Sequence, residues 1–279
     1  MKFRGRNADT DRPQKTMVCP TPFAPAAPHL RHWPLMALRP LLLLLVPISM
    51  AFPQSNPLPA RESLTFNIEW RLFNAGRTTV QWSSTGRDSA QINLHVESVG
   101  LVSKLFKVED RYVANLGAGL CAQSVQLTAQ EGSRDRETKI TFDNANHRAA
   151  YVERDRAKNT VLLSRETEIP PCVYEIAGGL YYLRTMNLEP GQSVQVPLTD
   201  GKKSVLAKVE AQEREEIKTP AGTFKTIRYE AYVFNNVLYR RPAHLYVWLT
   251  DDRRKLPVQI RVRMQLAIGT ITLFLEKHE

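Results

Sequence analysis

The chain has 279 residues, 43% of them hydrophobic, with 38 Lys or Arg against 28 Asp or Glu, a composition that excludes wholesale disorder and a repeat array. Half of the net charge of +10 sits in residues 1–51, which hold seven basic and two acidic residues, so the remainder stands at +5. A balance that modest does not argue for a nucleic-acid partner.

The first 62 residues are rich in proline, which suits neither helix nor strand interiors. Within them, Leu41 to Phe52 is an uncharged apolar run of about 12 residues, too short for a membrane-spanning helix of about 20. Arg31 and Arg39 precede it, and Ser49-Met-Ala51 near its end is a small-x-small site. This is the layout of a secretory signal peptide, and it predicts cleavage near Ala51 and a periplasmic or secreted protein. An uncleaved anchor is the alternative, while a lipoprotein is disfavoured because Cys19 lies ahead of the apolar run and no Cys closes it. Met1, Met17 and Met36 all offer starts. The expected organisation is an extension over 1–35 that the cell need not translate, a signal peptide over 36–51, a linker over 52–62 and a single β-rich domain over 63–279.

From Leu64 the pattern alternates. Leu64, Phe66, Ile68, Trp70 and Leu72 share one face of a half-buried strand. Phe73-Asn-Ala-Gly76 is read as the first turn and Thr85-Gly-Arg-Asp88 as the second. The rhythm continues through 125–130, 136–142, 148–154 and 160–169, with Gly, Asn and Asp between, as antiparallel hairpins require. Two interruptions read as helix: a short one over 100–106 and a clearer one over 173–186, where Val173, Ile176, Ala177, Leu180 and Leu183 fall at helical spacing. Strands then resume, and Thr219-Pro-Ala-Gly-Thr223 has the chemistry of a hairpin turn. About a dozen strands and one substantial helix follow. The fold expected is mainly β, a strongly curved antiparallel sheet or incomplete barrel packed on that one helix, because large twisted sheets curl or split. A two-sheet sandwich is the alternative.

Three phrases in the last third are distinctive: Tyr182-Leu-Arg-Thr-Met-Asn-Leu-Glu-Pro-Gly191, Thr219-Pro-Ala-Gly-Thr-Phe-Lys-Thr226 and Val247-Trp-Leu-Thr-Asp-Asp-Arg-Arg-Lys-Leu-Pro-Val258. In that order and spacing the chain resembles, from about Leu64 onward, the bacterial envelope family catalogued as domain of unknown function 3108. The resemblance implies an envelope setting and carries no established activity.

Cys121 and Cys172 are the two cysteines beyond the signal, each beside a turn, and in an exported protein they are expected to pair. No histidine pair or close Cys spacing suggests a metal, and no cofactor fingerprint appears. Asp251 and Asp252 read as turn residues whose basic neighbours keep them ionised. Arg240, Arg241, Arg253, Arg254, Arg261 and Arg263 gather positive charge near the C-terminal strands, either as an ordinary solvated face or as a docking surface for anionic lipid headgroups or acidic polymers. Trp70, Trp82, Tyr181, Tyr182 and Trp248 either fill the core or line a ligand cavity between sheet and helix. The expected role is therefore non-enzymatic binding of an apolar or amphipathic envelope component, with membrane-surface contact a possible part of it. Two alternatives stand beside it: a hydrolase of an envelope polymer using carboxylates such as Asp251 or Glu230, and a structural subunit of an envelope complex.

Overall fold

The computed structural model describes residues 56–71, 73–264 and 269–279. The expected extension, signal peptide and cleavage site lie outside the described residues. Fourteen strands form one antiparallel sheet in the order β8-β7-β6-β5-β4-β3-β2-β1-β14-β13-β12-β11-β10-β9. One arm is the meander β1 (Arg61–Trp70), β2 (Phe73–Gly86), β3 (Ser89–Ser98), β4 (Val108–Leu116), β5 (Ala122–Glu131), β6 (Arg134–Asp143), β7 (Arg148–Asp155) and β8 (Thr160–Glu168). The other is β9 (Ser193–Thr199), β10 (Ser204–Thr219), β11 (Gly222–Ala231), β12 (Ala243–Thr250), β13 (Pro257–Met264) and β14 (Thr270–His278). The arms join where β1 pairs with β14, Phe66 opposite Leu275 and Trp70 opposite Ile271.

The sheet curls without closing. The β9–β10 turn reaches the inner face of the far arm, where Gly201 sits against Ile140 of β6 and the Lys202 ammonium lies 5.0 Å from the Tyr151 ring of β7. β8 and β9 do not pair with each other. The strap between them bridges the gap instead: Ala122 N–H donates to Val173 O, and Tyr174 N–H donates to Pro197 O. The sandwich alternative does not form, because every strand finds its neighbours within one continuous ladder.

Two boundaries differ from the sequence reading. The first turn falls at Arg71, which takes φ 48°, so Phe73 already pairs with Trp70 and Phe73 to Gly76 belong to β2. The long helix is shorter than its apolar spacing suggests. It is α2, Ile176–Arg184, because Val173 and Tyr174 are drawn into extended hydrogen bonding with both arms and Glu175 caps the helix by accepting from the Ala177 and Gly178 amides. The short helix is α1, Gly100–Leu105, which buries none of its residues.

α2 fills the concave side. Tyr181 stacks on Trp82 of β2 with ring centroids 4.5 Å apart. Gly178 packs beside Leu116 of β4, and Gly179 beside Leu198 of β9. Cys121 and Cys172 form a disulfide with Cα atoms 5.0 Å apart, stapling the strap to the start of β5. Among the described residues, no helix is long and apolar enough to cross a membrane.

Candidate functional site

The concave side is occupied by packed groups that bond chiefly to one another. Arg184, 1% exposed, lies over the Tyr181 ring and donates to both Glu62 oxygens at 2.6 and 2.7 Å. Glu175 accepts from the Tyr112 hydroxyl of β4 as well as from its own helix amides. Burial pushes the Glu175 carboxyl up from the usual carboxylate range, with those three donors opposing. Tyr174 and Tyr182 stack at 4.2 Å. Asn56, ahead of β1, donates to the Met186 carbonyl and to Asn187, tying the entering chain to the end of α2.

The five aromatic candidates are therefore distributed. Trp82 and Tyr181 belong to the cluster beneath β2–β7, Tyr182 packs against the cluster of the other arm and Trp248 lies in a third. Trp248 is buried with the Arg261 guanidinium 5.1 Å from its ring. Trp70 stands partly exposed at the β1–β2 turn, with the Arg71 guanidinium over it.

The groove that sequence reading did not find lies on the other face of β2–β4. Ile92, Ala114 and Leu116 point into the core, so the residues alternating with them point outward. The pairings Thr79–His95–Arg111 and Gln81–Asn93–Val113 set these side chains in adjacent rows. They line a depression of about 390 Å³, bordered by Leu94 and Tyr112, which alternate with them and face the core. A second one, about 310 Å³, adjoins it across Arg111 and is lined by Glu109, Thr128, Gln130 and Arg156.

A ladder of amides closes one end of the first depression: Asn93 donates to Gln91 at 3.0 Å, Gln91 to Asn115 at 2.9 Å and Asn115 to the Ser124 hydroxyl at 2.9 Å. The His95 Nε2 atom is buried without a protein partner. Arg111 bonds Glu109 at 3.2 Å, and Lys107 draws the Glu109 carboxyl below its usual range. The groove thus offers a guanidinium, an imidazole, amides and a hydroxyl beside the Val113 side chain. Only its alternation was visible in the sequence, because the rows come from the register of β2, β3 and β4.

The carboxylates considered for hydrolysis are separated. Asp251 N–H bonds Lys225 O, and Glu230 lies five residues further along β11, about 17 Å of strand. Asp251 is engaged by Arg214 at 2.7 Å, and Asp252 accepts from Thr250 and from the Arg254 amide, as a turn aspartate does. Glu230 accepts from Gln212 at 2.7 Å and meets His244 Nδ1 at 2.7 Å. The arginines divide as well: Arg253 and Arg254 sit in the β12–β13 turn, whereas Arg240, Arg241 and Arg263 sit at the opposite end of the strands. Among the described residues no three His, Cys, Asp or Glu side chains converge as metal ligands.

A single curled meander with its concave side filled by a helix defines the class. The family model for DUF3108, a protein of unknown function, matches residues 65–276; the chain belongs to that family. No curated protein matches the sequence. Among solved structures, the chain is similar to a β-barrel-like protein of domain of unknown function DUF1849 from Brucella abortus. The TM-score is 0.52 at 7% identity, over 80% of this chain and 98% of that one, a likeness of fold alone. An inferred exported protein with a YmcC-like fold from Bacteroides fragilis gives 0.35 at 9% identity, over 82% and 100%. An inferred lipoprotein from Parabacteroides distasonis gives 0.30 at 10%, over 82% and 97%.

Proposed function

We propose that this is an exported envelope protein that binds the polar head of an amphipathic envelope component in the β2–β4 groove and leaves it chemically unchanged. The observation that carries the reading is the pair of depressions meeting at Arg111. A guanidinium shared between two hollows gives charge-assisted, two-pronged hydrogen bonds to phosphate or carboxylate. The apolar signal in residues 41–51 supports the envelope setting. The groove, rather than the filled space around α2, is the place where a ligand meets polar groups without displacing core side chains.

Native mass spectrometry of protein isolated from its own envelope tests this, together with titration by dihexanoyl phosphatidylglycerol as a soluble probe. Lipid-mass adducts are expected, with probe affinity falling about tenfold or more, some 1.4 kcal/mol, in Arg111→Ala. Absence of both adducts and probe binding overturns the reading.

One pair favours a second reading, hydrolysis of an envelope polymer. Glu230 holds His244 Nδ1, an arrangement that orients an imidazole for proton transfer. Polymer turnover that disappears in His244→Ala would replace the binding reading.

A further inference from the structure

Antiparallel connectivity brings alternate connections to one end of the curled sheet. That rim consists of the β1–β2 turn, α1 with its flanks, the β5–β6 and β7–β8 turns, the β9–β10 turn and the β11–β12 loop. Its connections are mostly basic, although Lys107, Arg156 and Lys202 pair with Glu109, Asp135 and Asp200. Residues 71, 99–107, 132–133, 156–159, 200–203 and 232–242 hold nine Lys or Arg and one acidic residue, Asp200. The connections at the other end, 87–88, 117–121, 144–147, 169–192, 220–221 and 251–256, hold five of each. The basic excess therefore belongs to the connections of this rim and not to those of the other end.

The same rim displays large apolar side chains. Leu105 is 79% exposed, Phe73 72%, Leu101 71% and Phe106 52%. They are held in place, since Val99 N–H donates to Ala75 O and Phe106 N–H to Val102 O, while the Phe106 ring rests against Gly132 of the β5–β6 turn. Leu101 and Leu105, four residues apart on α1, share a helix face. Trp70 pairs with Phe73 across the β1–β2 turn. Lys104 and Lys107 flank these side chains, and Arg240 and Arg241 stand at the same end of the other arm.

We infer that this rim docks onto the surface of an anionic phospholipid bilayer, α1 and the β1–β2 turn entering the headgroup boundary while the basic residues meet lipid phosphates. Exposed leucine and aromatic side chains beside lysine and arginine fit a surface that is apolar below and negative above. A soluble acidic partner would satisfy the charges and leave Leu101, Leu105 and Phe73 in water. The inference deepens the proposed function and rests on it for the identity of the headgroup, because Thr79, His95 and Arg111 lie three residues from the rim pair Gly76–Ser98, about 10 Å. A docked rim sets the groove beside the headgroup layer.

The test is flotation of the purified protein with vesicles of phosphatidylcholine, with and without phosphatidylglycerol. Binding is expected only with phosphatidylglycerol, weakening as salt screens the charges. The variant Leu101→Ser/Leu105→Ser/Phe106→Ser, changed at exposed positions, should melt near the parent and lose about tenfold or more in vesicle affinity. Lys104→Glu/Arg240→Glu/Arg241→Glu should lose binding too, whereas reversing Arg87 and Arg253 at the balanced end should not. Brominated phosphatidylglycerol should quench fluorescence in the parent and not in Trp70→Phe.

No flotation with phosphatidylglycerol at low salt overturns the inference. So does flotation that survives the α1 triple variant, or that is lost equally in the Arg87 and Arg253 variant. Arg111→Ala separates the two readings: it should lose the soluble probe and keep flotation. Probe binding without flotation would sink the rim alone, and flotation without probe binding would sink the groove alone.

Discussion

The Arg184 guanidinium and the Glu62 carboxylate meet as a two-pronged ion pair between the last turn of α2 and the first strand, at 2.6 and 2.7 Å, both nearly withdrawn from solvent. A third donation, Arg184 Nη2 to Arg254 O at 3.3 Å, reaches the β12–β13 turn, so one side chain ties the helix to both arms. Removing one member of such a pair leaves an uncompensated buried charge. Glu62→Ala should therefore cost about 3–5 kcal/mol, read as a lower urea midpoint. A double replacement by apolar residues of similar size should recover part of that loss.

The Cys121–Cys172 disulfide closes a loop with sequence separation 51. Constraining an unfolded loop of that length contributes about 4 kcal/mol in the entropy model. The expected outcome is no free thiol on alkylation without reductant among these two residues, and a Cys121→Ser/Cys172→Ser variant that unfolds at distinctly lower denaturant.

Gly222 closes the β10–β11 hairpin at φ 133°, a conformation that L side chains rarely adopt. A Cβ there would meet only the Phe224 ring, at an ordinary contact distance of 3.8 Å, so the cost of a side chain is chiefly backbone strain. Gly222→Val should destabilise by about 1 kcal/mol or more. Asp251→Asn, at an exposed turn, should melt closer to the parent, and thermal melts of the pair make the comparison.

Asp110 stands on the core-facing side of β4, opposite Val96 and Ala129. Burial, and then Glu131, push its carboxyl from 3.8 up to about 6, against one hydrogen bond from the Gln130 amide. The folded state therefore holds the proton more tightly than the unfolded chain, and the stability this contributes at low pH is lost as pH rises from near 4 through about 6. Because the group is half exposed, the nominal effect shrinks to about 1 kcal/mol. Asp110→Asn, which still accepts from Gln130, should melt about 2–4 °C above the parent at pH 7.5, with the two converging near pH 4.

Much of this protein was legible in local pattern. Period-two alternation from Leu64 onward, the Thr219–Gly222 turn, the apolar stripe of α2 and the pairing of the two cysteines all depend on near neighbours or on the redox setting. What alternation could not convey was which strand lies beside which. The pairing of β1 with β14 determines that Glu62 finds Arg184, and the register of β2, β3 and β4 determines that Thr79, His95 and Arg111 form one row. Tertiary hydrogen bonds drew Val173 and Tyr174 out of the helix that their spacing favoured.

The arginines make the same point. Arg240, Arg241, Arg253 and Arg254 are close in sequence, yet one strand length of β12 sends the first two to the basic rim and the others to the balanced end. Residue type and spacing determined that this chain would be a curved antiparallel sheet. Only the path of the chain through space decided which residues share a face, because side-chain neighbours across a sheet are set by register between segments and not by sequence within one.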